Sequence, residues 1–81
     1  MFYVYILQSL KNGRMYIGQT KDIKKRLLRH NNGFCLATRY YRPYQLIYSE
    51  RYNSLREVIR RERYLKLLKS PKAVWKIINS S

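Results

Sequence analysis

An Asn12-Gly13 pair separates two runs of strand-forming residues, FYVYILQS before it and RMYIGQT after it, and no other feature restricts the chain so strongly. Glycine accepts the positive φ that a tight reversal needs, so the two runs are predicted to return on each other as an antiparallel hairpin. Alternation in the first run sends Tyr3, Tyr5 and Leu7 to one face and Phe2, Val4 and Ile6 to the other. Both sets are apolar or aromatic, which predicts a central strand covered on both sides. At 81 residues the chain is close to the smallest that holds one core without disulfides or metal, so every later element must pack on this hairpin.

The helix signals that follow are local. Thr20 as N-cap, Asp22 near the positive end and a stop at Asn31-Asn32-Gly33 predict a helix from about 21 to 31. Residues 34–43, FCLATRYYRP, lack a helical stripe and read as a loop; YQLIYSE reads as a third strand. Ser54 with Glu57 forms a capping box that opens NSLREVIRRERYLKLL, and Ser70 with Pro71 restarts a helix over SPKAVWKII. The order is ββαβαα, an α+β fold in one domain over 1–81. The opening MFYVYILQSL has no basic leader region and is too short to span a bilayer, so it is expected to be a strand.

Charge narrows the function. Eighteen Lys and Arg face four Asp and Glu, a net +14, while 46% of residues are hydrophobic, which fits a folded basic domain better than a basic tail. Residues 1–20 hold only Lys11 and Arg14; residues 21–42 hold seven basic side chains against Asp22. Such a field attracts a polyanion, nucleic acid first, with a merely solvated basic surface as the alternative. No helix combines a basic face with a broad bulky apolar one, so no membrane partner is expected. Cys35 is the sole cysteine, which rules out an internal disulfide and a Cys-rich zinc site and fits a reducing cytoplasm. Its place in a turn suits an ordinary loop residue.

Two charged constellations go beyond what a fold requires. Counting 100° per residue from Leu55, Val58, Ile59 and Leu65 fall at about 300°, 40° and 280°, and Glu62 at about 340°, inside that stripe. Glu57 falls at about 200°, where the capping box explains it. A carboxylate on the apolar side needs a partner. Either it forms an ion pair with Arg26 or Lys66, or it serves as a metal or catalytic carboxylate. On the first helix, Arg26 and His30 share a face one turn apart. They are either a solvated Arg and a His on the helix dipole, or a phosphate-binding fork beside a group able to move a proton near neutral pH. One carboxylate is a poor calcium cage but an adequate anchor for Mg²⁺, which keeps its waters and takes further ligands from a substrate phosphate. There is no Gly-rich phosphate loop, no Ser-His-Asp or complete Cys-His constellation, and no acid cluster for two metals.

The tripeptides Tyr3-Val4-Tyr5 and Tyr16-Ile17-Gly18, ten residues apart, then RLLRH on one helix and RRERYLK on a later one, resemble the GIY-YIG nuclease superfamily. The likeness runs from Tyr3 to Ile78 and is greatest to the small standalone bacterial proteins, which share the module with the excision-repair incision subunit and some homing endonucleases. It implies a three-stranded antiparallel sheet flanked by helices, and cleavage of DNA phosphodiesters with one Mg²⁺ or Mn²⁺. By the same resemblance Tyr5 positions water or phosphate, Tyr16 is the general base with His30 as the other candidate, Arg26 binds phosphate and Glu62 holds the metal. Gly18 allows close approach of a phosphate or a neighbouring side chain. The first tripeptide lacks the family's glycine, Gln19 stands where some relatives carry lysine, and no separate recognition domain is expected within these 81 residues.

DNA is the expected partner, held by Lys21, Lys24, Lys25 and Arg29 along the first helix and by Arg39 and Arg42 in the loop. Tyr40 and Tyr41 either stack on exposed bases or cover the edge of the core. A low-specificity endonuclease, structure-selective in repair or recombination, is the leading function, and a non-catalytic DNA- or RNA-binding module is the alternative. A monomer is expected, with a dimer as the other possibility.

Overall fold

In a computed structural model, which describes residues 1–80, the chain forms β1 (Phe2–Ser9), β2 (Met15–Thr20), α1 (Ile23–Asn31), β3 (Tyr44–Tyr52), α2 (Leu55–Leu67) and α3 (Pro71–Asn79). The sheet is antiparallel in the order β2-β1-β3, so the strand that is apolar on both faces is the central one. The reversal after β1 takes five residues, Leu10 to Arg14. It is closed by Ser9 N–H on the Arg14 carbonyl at 2.9 Å and by Gly13 at φ 77°.

Val4 and Ile6 pack with Val58, Leu65 and Val74 of α2 and α3. Tyr5 and Leu7, on the opposite face, pack with Tyr44, Tyr16 and Leu27 of α1. Three layers result, with β1 shared by both cores. The β1–β3 register slips between Ile6 and Leu7, which places Ile6 opposite Tyr48 but Leu7 opposite Leu46. The extra residue, Ile47, leans into the α2 side.

The caps largely follow the sequence. Ser54 Oγ accepts from Glu57 N–H at 3.2 Å, and Ser70 Oγ accepts from Ala73 N–H at 3.4 Å with Pro71 in the first turn. The expected start of the first helix needs correction. Asp22 is the N-cap, accepting from Lys25 N–H at 3.1 Å, and the helix begins at Ile23. Thr20 still belongs to β2, and its hydroxyl accepts from Asp22 N–H at 3.1 Å to turn the chain toward the helix. Carboxylate and hydroxyl compete for one role, and the carboxylate two residues on reaches the free amide. The segment read as a plain loop contains a short 3-10 turn at Arg39–Tyr41.

One polar cluster pins α2 to the sheet. Arg61 donates to both oxygens of Glu50 from Nε and Nη2 at 2.9 and 3.0 Å, and the hydroxyls of Tyr48 and Tyr52 donate to the same carboxylate at 2.6 and 2.7 Å. Burial alone would raise the Glu50 carboxyl, but the hydrogen bonds from Arg61, Tyr48 and Tyr52 carry it below its ordinary value. The same burial and the Glu50 contact push the Tyr52 phenol up to about 12.

Candidate active site

Register decides which tyrosines meet. Tyr5 lies opposite Gly18 and Leu7 opposite Tyr16, and directly opposed residues share a face. Tyr5 and Tyr16 are therefore diagonal neighbours on the α1 side, ring centroids 6.4 Å apart. Gly18 is what lets the Tyr5 ring lie across β2: a Cβ there would come within 2.5 Å of the phenolic oxygen and 2.7 Å of the ring carbon that carries it. The space over this glycine is filled by a side chain of the protein itself.

His30 closes the cluster from α1. It is fully buried, with its ring 4.9 Å from that of Tyr16 and 5.9 Å from that of Tyr5. Its Nε2 lies 3.1 Å from the Tyr5 hydroxyl and its Nδ1 2.7 Å from Thr38 Oγ1, itself fully buried. The Thr38 hydroxyl lies 3.4 Å from the Cys35 carbonyl, which can only accept. That fixes the direction along the chain: Thr38 donates to Cys35, His30 Nδ1–H donates to Thr38, and Tyr5 O–H donates to Nε2. His30 is thus a neutral imidazole. Burial first, then the charges of Arg26 and Arg29, hold it below its ordinary 6.5. Burial, with Tyr16 adding to it and Arg26 opposing it, pushes the Tyr5 phenol up to about 12, so it stays a neutral donor.

Tyr16 and Arg26 differ from this pair in being half-exposed. Among the described residues the Tyr16 hydroxyl has no hydrogen-bond partner and no carboxylate pairs with Arg26. Arg26 shares a groove with Lys21, Lys25 and Arg29, and Lys24 lies beside Lys21 in an adjoining one. Tyr3 lines that second groove at the far end of β1, away from the His30 cluster.

Glu62 stands apart. Its helix packs against the other face of the sheet through Val58 and Leu65. The buried stripe is centred on those two, and Glu62 lies along it with a side chain only 20% exposed, less than the 29% of Arg61 on the other side of the stripe. Of the two readings of this residue, the structure contains the ion pair with Lys66, Nζ to Oε2 at 3.2 Å. Oε1 has no protein partner among the described residues, so one hard oxygen remains open to water, which suits Mg²⁺ with most of its hydration retained. No three His, Cys, Asp or Glu side chains gather among the described residues, so any metal here would rest on this carboxylate, water and substrate.

The remaining basic candidates lie on the 33–43 loop. Arg39 Nε donates to the Gly33 carbonyl at 3.2 Å, Arg42 Nη1 to the Arg39 carbonyl at 3.1 Å, and Lys11 Nζ to the Tyr40 carbonyl at 3.3 Å. Tyr40 is 71% exposed; Tyr41 is less so and its carbonyl accepts from Ser9 Oγ at 2.5 Å. Asn31 brackets the loop's end, its Oδ1 accepting from Tyr44 N–H at 2.7 Å and its Nδ2 donating to the Tyr44 carbonyl at 3.1 Å. Thr38, which completes the His30 surroundings with Tyr44 of β3, escapes sequence reasoning because the loop that brings it there has no periodicity.

Known proteins resemble this chain in sequence and in fold. A family model of the GIY-YIG catalytic domain matches residues 1–77. A UPF0213 protein of Staphylococcus saprophyticus is 42% identical over 65 residues, 79% of this chain and 78% of that one. One of Clostridium perfringens is 44% identical over 70 residues, 84% and 73% of the two chains. The solution NMR structure of the UPF0213 protein BH0048 from Bacillus halodurans superposes with a TM-score of 0.62 at 29% identity, covering 100% of this chain and 86% of that one. No helix among the described residues is long and apolar enough to cross a membrane.

Proposed function

Because the chain belongs to the GIY-YIG catalytic domain family, a nuclease family, we propose that it is a metal-dependent endonuclease that hydrolyses DNA phosphodiesters with little sequence preference. One observation carries this: Tyr5, Tyr16, Arg26 and His30, from three different elements, converge beside a groove lined by cations. Arg26, hydrogen-bonded to Tyr5 but paired with no carboxylate, presents its fork to two phosphate oxygens and offsets the charge that develops there. Tyr16, the tyrosine of the pair whose hydroxyl is open, holds the attacking water and, as the phenolate, takes its proton. His30 does not reach water in this arrangement, since Tyr5 and Thr38 occupy both ring nitrogens. It is a positioning residue that holds Tyr5 fixed behind the phosphate. Glu62 holds the divalent cation, which when bound neutralises phosphate charge and acidifies a coordinated water.

A second reading, a DNA- or RNA-binding module without activity, draws support from the Lys66 ammonium on the Glu62 carboxylate. Plasmid, single-stranded and branched DNA incubated with Mg²⁺ or Mn²⁺ against EDTA separates the two. The nuclease reading expects cleavage by the wild type only with metal and none by Glu62→Ala. Retarded but uncut DNA with both proteins would establish the binder.

A further inference from the structure

The outer edge of β2 carries no partner strand, and two grooves follow it in opposite directions from Gly18. One holds Gln19, Lys21, Lys25, Arg26 and Arg29, with Asp22 as its one acid. The other runs back along Tyr16 toward the hairpin, between β2 and the α2–α3 corner. Its floor is apolar, Met15, Ile17 and Leu65, and its wall is Trp75. Arg14, Lys66 and Lys69 stand along it, and no acid lines it. Trp75 is half-buried, and although Val74 beside it belongs to the core, Trp75 itself is not packed into that cluster.

An apolar floor with an indole wall and a purely cationic lining fits a ligand that alternates flat rings with negative charge. We propose that this cleft is a second nucleic-acid subsite that takes the unpaired DNA strand flanking the scissile phosphate, with a base stacked on Trp75 and its phosphates on Arg14 and Lys69. The inference rests on the nuclease reading of Tyr16, which lines the cleft at its inner end. The two grooves together then form one track along the six residues of β2, about 20 Å long, with the reactive site at its middle. A duplex presents paired, stacked bases and cannot offer one to an indole at the floor of a cleft; an unpaired strand can. A second copy of the chain is disfavoured because each carries +14.

Trp75 is the only tryptophan, so its emission reports on this cleft alone. Titration in EDTA, where nothing is cut, uses a dT12 oligonucleotide, a blunt duplex, an abasic deoxyribose-phosphate oligomer and polyglutamate, with anisotropy of a labelled dT12 as an independent measure of binding. Saturable quenching by dT12, absent with the abasic oligomer and weaker with the duplex, is the expected result. The Arg14→Glu/Lys69→Glu double variant should bind dT12 about tenfold more weakly, with a log–log salt slope shallower by about 1.4. Lys72→Glu, on α3 but outside the cleft, should be affected far less. Binding by anisotropy without a Trp75 response, unweakened binding by the double variant, or equal quenching by polyglutamate would each overturn the subsite. Metal-dependent plasmid cleavage by the same preparation would leave the nuclease reading standing in all three cases. A circular-dichroism spectrum matching wild type confirms that the double variant is folded.

Discussion

Replacing Gly18 with alanine tests the architecture of the site through a single methyl group. The added Cβ would meet the Tyr5 oxygen at 2.5 Å and two ring carbons at 2.7 and 3.1 Å, and the ring cannot retreat, because it is 1% exposed and packed on Leu7 and Tyr44. Overpacking of this kind costs about 1–3 kcal/mol. Displacing the phenol from His30 Nε2 forfeits a buried hydrogen bond, roughly another 1 kcal/mol. Against this, alanine is better than glycine within a strand by about 0.5–1 kcal/mol. The balance is a loss of about 1–3 kcal/mol, and at roughly 4–8 °C per kcal/mol for a domain this size the melting midpoint falls by about 5–20 °C. The decisive measurement is the double-mutant cycle by urea or thermal unfolding. With Tyr5→Ala as background the clash is gone, so Gly18→Ala becomes neutral or stabilising by up to about 0.5–1 kcal/mol. If Gly18→Ala costs the same in both backgrounds, the glycine is not there for Tyr5 and this account of the site is wrong.

Other consequences are open to direct measurement. His30 is held neutral with its value below 6.5, so the unfolded chain binds a proton that the native one refuses; stability falls as pH drops below about 6.5, and His30→Gln should flatten that slope in unfolding curves taken between pH 7 and 5. Glu50 is shifted in the acid direction, so its contribution is present above its ordinary 4.5 and lost as pH falls below that value. Glu50→Ala removes the acceptor of four hydrogen bonds and leaves Arg61 without a carboxylate, and should cost about 2–4 kcal/mol in urea unfolding at pH 7. Lys21→Ala and Lys25→Ala should each lower the salt slope of duplex binding by about 0.9 in fluorescence anisotropy, with little change in stability.

The parts of the fold legible in the sequence are those fixed by neighbours along the chain. The Asn12-Gly13 reversal, the Ser54–Glu57 and Ser70–Pro71 caps and the double-sided strand around Val4 and Tyr5 each depend on a few adjacent residues. The pairing of Tyr5 with Tyr16 was within reach too, because alternation and one register determine it. The surroundings of His30 were not. Helical spacing puts it on the edge of a stripe, and only a loop with no periodic signal, delivering Thr38 from eight residues away, buries it completely. Glu62 shows the converse. The helical projection places it within the apolar stripe beside Val58 and Leu65, and in the structure its side chain is only 20% exposed there. Glu50 looked like any other residue at a strand end, since nothing local foretells that two tyrosines of its own strand and an arginine eleven residues on will converge on it.

The four acidic side chains divide their work unevenly. Asp22 caps α1, Glu57 completes the cap of α2, and Glu50 fastens α2 to the sheet. Glu62 alone has no duty beyond an i,i+4 pair whose lysine is 53% exposed, an interaction worth a few tenths of a kcal/mol. If the chain is a nuclease that binds its metal through Glu62, reactivity and foldedness are separable at a single codon. Glu62→Ala would leave a protein as abundant as its parent and one charge more cationic, which on the nuclease reading occupies the same DNA without processing it. On the nuclease reading such an allele would act as a competitor of the intact protein rather than as its simple absence.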